Sequence, residues 1–107
     1  MSTVQPNAVG NRLGVSSEQL AVFCRRHAIL SLAVFGSILR DDFHGESDVD
    51  VLVEFAPGQS PGLAFFRMQE ELAGLFRRPV DLHTPNSLSR YFRDEVLSEA
   101  EVQYVAA

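Results

Sequence analysis

Apolar residues recur along this chain in two periods, and the switches between them mark out its elements. Behind Ser16 and Gln19, spaced as a capping box, Leu20, Phe23, Cys24 and His27 follow at helical spacing. Arg25 and Arg26 sit near the negative end of the resulting dipole, so a helix is predicted over about 17–29. Ser31 to Phe35 is a short apolar run halted by Gly36, which suits a buried strand feeding a tight turn. A brief helical turn is predicted over 38–43 and a loop over 44–47. From Asp48 to Phe55 the period becomes two: Val49, Val51, Val53 and Phe55 share one face, Asp48 and Asp50 the other.

Pro57 to Gly62 breaks that strand. Phe65, Met68, Leu72, Leu75 and Phe76 then form one helical stripe ending near Arg77-Arg78-Pro79, with Leu63 and Phe66 off it, a hint of a partner face. Val80 to His83 reads as a third short strand with Asp81 and His83 facing away from Val80 and Leu82. A final helical pattern is expected from Pro85-Asn86-Ser87 through Tyr91, Val96 and Leu97. Residues 1–15 show no sustained period, so the expected organisation is a loose N-terminal extension over 1–15 and one domain over 16–107.

Composition narrows the chemistry. At 107 residues there is room for one core, not for a catalytic domain plus an acceptor-binding domain, so any large acceptor is expected on another chain. A net charge of -5 argues against direct nucleic-acid binding through phosphates. All 9 basic residues are Arg, and the absence of Lys rules out a Schiff base, a nucleotidyl-lysine intermediate and a Gly-Lys-Ser/Thr phosphate loop. Cys24 is the single cysteine, and no apolar run approaches membrane-spanning length, so a cytoplasmic protein without a membrane association is the expectation.

Nucleotide chemistry must then rest on carboxylates and metal. Two divalent ions can clamp the attacking and leaving oxygens of a phosphoryl group, and magnesium takes hard oxygen ligands. Asp48 and Asp50, two apart on a strand, project to one face as candidate metal ligands. Asp81, on the polar face of the other acid-bearing strand, is the candidate third ligand and proton acceptor. Gly36 would let backbone approach the phosphates, Ser37 would add a hydroxyl and an amide donor, and Arg40 could hold a terminal phosphate. Of the histidines, His27 reads as a core residue and His44 as a loop residue. His83 is balanced between a role on the Asp81 face and a plain surface position. Cys24 reads as a small core side chain.

Gly36-Ser37, ten intervening residues and Asp48-Val49-Asp50 together resemble the signature of the DNA polymerase beta-like nucleotidyltransferase superfamily. The Phe35 lead-in and the later Val80-Asp81-Leu82 are similar to its minimal nucleotidyltransferase, MntA-like branch, over about Leu20 to Val105. The resemblance implies an α/β (α+β) fold, a small mixed sheet flanked by helices. It also implies magnesium, with two ions, and ATP as cosubstrate. AMP would pass to a tyrosine of a HEPN-domain ribonuclease toxin, with this chain as the antitoxin. Carried over by residue, Gly36 and Ser37 match the nucleotide-holding turn, Asp48, Asp50 and Asp81 the catalytic metal ligands, and Arg40 the arginine three residues after the serine. Asp41 stands where many members have Gly. The rival expectation is a non-catalytic antitoxin that neutralises its partner by binding, and a small-molecule nucleotidyltransferase ranks behind both. Self-association is left open.

Overall fold

The computed structural model describes residues 14–39, 48–58, 62–91 and 93–106. Helix α1 (Ser17–Arg26) leads into strand β1 (Ile29–Phe35) and a 3-10 turn (Gly36–Leu39). Strand β2 (Val49–Phe55), helix α2 (Ala64–Phe76) and strand β3 (Val80–His83) follow. A 3-10 turn (Pro85–Ser87), helix α3 (Arg93–Glu99) and strand β4 (Glu101–Val105) complete the order. The strands form one mixed sheet in the order β3-β2-β1-β4, with β1 antiparallel to β2 and β4, and β2 parallel to β3. A parallel pair needs a long crossover, and α2 lies within it. This is the α/β architecture expected.

Helix α1 starts on the anticipated capping box: Gln19 N donates to Ser16 Oγ and Ser16 N donates to Gln19 Oε1, each at 3.1 Å. It stops three residues short of the expected end, because Ala28 takes a left-handed conformation (φ 57°) that ends the helix and lets β1 begin at Ile29. Helix α2 ends likewise on Arg77 (φ 58°), whose N–H donates to Ala73 O.

The two-residue period of β2 delivers Val49, Val51 and Val53 to the interior at 0% exposure, each worth about 1.5–3 kcal/mol against an exposed position. They join Leu20, Phe23 and Cys24 of α1 and Met68, Leu72 and Phe76 of α2 in one core cluster, which places both helices on the same face of the sheet. Arg26 and His27 reach Glu71 at 2.8 and 3.2 Å and tie the two helices together. His27 thus belongs to this helix pair. Burial raises the Cys24 thiol to about 12, so it stays protonated inside the core.

The chain end corrects the sequence reading. The expected long final helix is a 3-10 turn, a seven-residue helix and an edge strand, β4, that pairs with β1. A register shift between Leu32 and Ala33 buries the consecutive residues Gln103 and Tyr104, which breaks the alternation that would have revealed the strand. Among the described residues no helix is long and apolar enough to cross a membrane. The turn expected over 38–43 is described only to Leu39, where it belongs to the 3-10 turn from Gly36, and residues 1–13, the rest of that turn and the loop expected over 44–47 lie outside the described residues.

Candidate functional site

Three segments meet at one end of the sheet because of how the strands run. Antiparallel pairing brings the last residue of β1, Phe35, opposite Asp50 near the start of β2. Parallel pairing starts β2 and β3 at that same end, with Asp50 opposite Asp81. Neighbouring strands lie about 4.8 Å apart, so these two carboxylates leave adjacent backbones on one face. Asp48 lies just before β2, exposed like Asp81, while Asp50 is half-buried. The face is the one opposite the two helices.

Gly36 follows Phe35 with φ 81°, and the space where a Cβ would stand is taken by the Asp50 carboxylate, with Oδ2 nearest. Only glycine satisfies both the conformation and the contact. Ser37 is the second residue of the 3-10 turn that Gly36 begins, and its Oγ lies 3.4 Å from the Asp48 carbonyl, a long contact that spans the two motif segments. His83, two residues beyond Asp81, has Nε2 at 3.5 Å from Asp50 Oδ1, beyond the usual hydrogen-bond range. The imidazole packs against Phe35, with ring centroids 5.3 Å apart and planes at 54°.

The Asp50 carboxyl is held above the ordinary carboxylate range, first by burial and further by the like charges of Asp81 and Asp48, with His83 opposing. Negative charge is thus concentrated where the fold disfavours it, a demand that a cation would meet. Hard carboxylate oxygens are the donor set that magnesium takes. Among the described residues no three His, Cys, Asp or Glu side chains are gathered closely enough to enclose an ion unaided. Magnesium does not require such a cage, since it is commonly held by one or two carboxylates together with substrate phosphates.

The structure therefore brings together Gly36, Ser37, Asp48, Asp50 and Asp81, five of the residues singled out from the sequence. Arg40 lies outside the described residues, as do Asp41 and His44. The contact of His83 with Asp50 and the backing of Phe35 are not among the sequence expectations. Their only sequence signals were the alternation of His83 with Asp81 and an aromatic residue preceding Gly36. A cavity of about 780 Å³ lies elsewhere, at the far end of β2, between Phe55, Pro57, Phe66 and Pro85. Leu63 and Phe66, at the start of α2, are 86% and 64% exposed, as their position off the helical stripe indicated.

The family model for the nucleotidyltransferase domain matches residues 16–103. The Methanocaldococcus jannaschii protein MJ0435, provisionally named a protein adenylyltransferase, is 36% identical over 75 residues, covering 70% of this chain and 80% of its own. Protein adenylyltransferase MntA of Thermococcus cleftensis is 36% identical over 74 residues, covering 69% of this chain and 74% of its own. A solved structure provisionally described as a minimal nucleotidyltransferase superposes with a TM-score of 0.66 at 34% identity, over 79% of this chain and 86% of that one. At 19% identity and a TM-score of 0.55, the fold is shared with a complex of a tri-AMPylated HEPN toxin and an MNT antitoxin from Shewanella oneidensis, over 80% of this chain and 66% of that one. The chain thus belongs to the nucleotidyltransferase family, in its minimal, MntA-like branch, and is a nucleotidyltransferase enzyme.

Proposed function

We propose that this chain is an antitoxin that uses magnesium and ATP to transfer AMP to a tyrosine of a HEPN-domain toxin. The observation that carries the reading is the convergence of Asp48, Asp50 and Asp81 at the sheet end where Gly36 leaves no side chain in the way. Asp48 and Asp50 would hold the metal, with Asp81 as third ligand. The metal, when bound, neutralises phosphate charge and acidifies the attacking hydroxyl. Gly36 and Ser37 would admit the phosphates, and Arg40 would take the terminal one. The tyrosine oxygen forms a bond to the α-phosphorus, the bond from that phosphorus to the bridging oxygen breaks, and pyrophosphate leaves with the electron pair. Asp81 accepts the phenolic proton. The names of the relatives and the AMPylated toxin in the Shewanella complex support the acceptor class.

A second reading, neutralisation by binding alone, is favoured by one observation. The exposed Leu63 and Phe66 lie by a cavity at the far end of β2 from the aspartates, so a partner could be held there without the site. Calorimetric titration with Mg-ATP separates the metal site from this surface. The Asp48→Asn/Asp50→Asn variant is expected to lose most of the affinity of the wild type. Equal binding by the two proteins would remove the proposed site.

A further inference from the structure

We propose that His83 is a positioning residue that holds the Asp50 carboxylate in a metal-ready orientation, an inference that rests on the reading of Asp50 as a metal ligand. The two oxygens of Asp50 are engaged differently. Oδ2 fills the space beside Gly36 that a Cβ would occupy, and Oδ1 faces His83 Nε2 at 3.5 Å. That nitrogen is buried and makes no hydrogen bond to another side chain or to backbone among the described residues, so the carboxylate is the acceptor within its reach. Phe35 packs on the imidazole from one side, and its backbone lies opposite Asp50 across β1 and β2.

Such a restraint has work to do at this position. Asp48 and Asp81 carry the same charge as Asp50, and without a donor on the sheet side their repulsion favours rotation of the Asp50 carboxylate away from its neighbours. An Nε2-protonated imidazole opposes that rotation and reduces what must be ordered when a cation arrives. His83 acts as donor rather than ligand in this scheme, since magnesium prefers oxygen. One four-residue strand would then both supply a carboxylate, Asp81, and steady its neighbour, Asp50.

Manganese titration in the presence of ATP, followed by EPR, tests this without reading turnover. His83→Phe keeps an aromatic ring against Phe35 but removes the donor, and His83→Gln keeps an N–H donor. The proposal predicts that His83→Phe weakens manganese binding about 10- to 100-fold with little change in the metal-free melting temperature, and that His83→Gln restores most of the affinity. His83→Leu serves in the same role should the Phe variant not fold. In an Asp50→Asn background, His83→Phe should cost no further affinity. Unchanged binding by His83→Phe, when Asp50→Asn alone loses it, would overturn the role of His83 and leave the metal site standing. Equal weakening by Gln and Phe would also overturn it, as would nitrogen coupling to the bound ion in pulsed EPR that disappears in His83→Phe, which would make His83 a ligand. Wild-type binding by Asp50→Asn would instead remove the metal-site reading itself.

Discussion

Asp50→Asn is expected to lower nucleotidyl transfer by several orders of magnitude while making the metal-free protein more resistant to heat. The first effect follows from the proposed site, in which Asn would replace a charged oxygen ligand at the centre of the three carboxylates. The second follows from the direction of the Asp50 shift. Its carboxyl is held above the ordinary carboxylate range, mainly by burial, so the fold disfavours the ionised form that the unfolded chain carries freely. Below the unfolded value the group is protonated in both states and contributes nothing. As the pH rises from there through the folded value a penalty develops, and it is fully present above that value.

Thermal melts in chelator should therefore show the Asp50→Asn variant above the wild type at neutral pH, with the gap closing as the pH falls through the upper carboxylate range. A variant that melts lower at neutral pH, or a gap that ignores pH, would contradict this. Magnesium with nucleotide should reverse the order. Ligand at one hundred times its dissociation constant adds about 2.7 kcal/mol to a protein that binds it and nothing to one that does not.

Gly36→Ala carries the second large effect. The substitution meets two independent obstacles, a φ of 81° that L-residues rarely adopt and an Asp50 oxygen in the space the new methyl group needs, with Asp50 Cγ at 3.3 Å. Either the turn shifts, and Ser37 with it, or Asp50 rotates out of the site. The first would move the turn proposed to hold the phosphates and the second a proposed metal ligand, so transfer should fall about 100-fold or more by either route. A stability loss of about 1–3 kcal/mol is expected as well, roughly 4–8 °C of melting temperature per kcal/mol in a domain near this size. A double-mutant cycle isolates the contact. In an Asp50→Ala background the methyl group finds room, so Gly36→Ala should cost less stability there than in the wild type. Equal costs in both backgrounds would show that the contact with Asp50 contributes nothing.

Much of this architecture is legible before any coordinates, and the parts that are not share a cause. The capping box at Ser16 and Gln19, the alternation of β2 and the stripe Met68, Leu72 and Phe76 are local patterns, written within a turn or two of chain, and each became the element expected. Gly36 before a turn and Asp48 before Asp50 are local as well. What escaped depends on pairing between distant segments. Strand β4 hides behind a register shift against β1. The setting of Asp50 between Gly36 and His83 exists only because β1, β2 and β3 align Phe35, Asp50 and Asp81 in one row. Sequence spacing can nominate the aspartates, but it does not reveal which of them is partly buried or what faces it.

The two functional readings separate at the two ends of β2. Transfer as proposed would use the aspartate end, whereas binding alone could use the surface around Leu63 and Phe66 and leave the aspartates idle. The most direct test is the intact mass of a HEPN-domain toxin after co-expression with this chain, wild type against Asp48→Asn/Asp50→Asn. Transfer predicts a gain of one or more AMP units on the partner with the wild type only. A stable complex whose partner mass is unchanged with either form would contradict it and leave neutralisation by binding as the function.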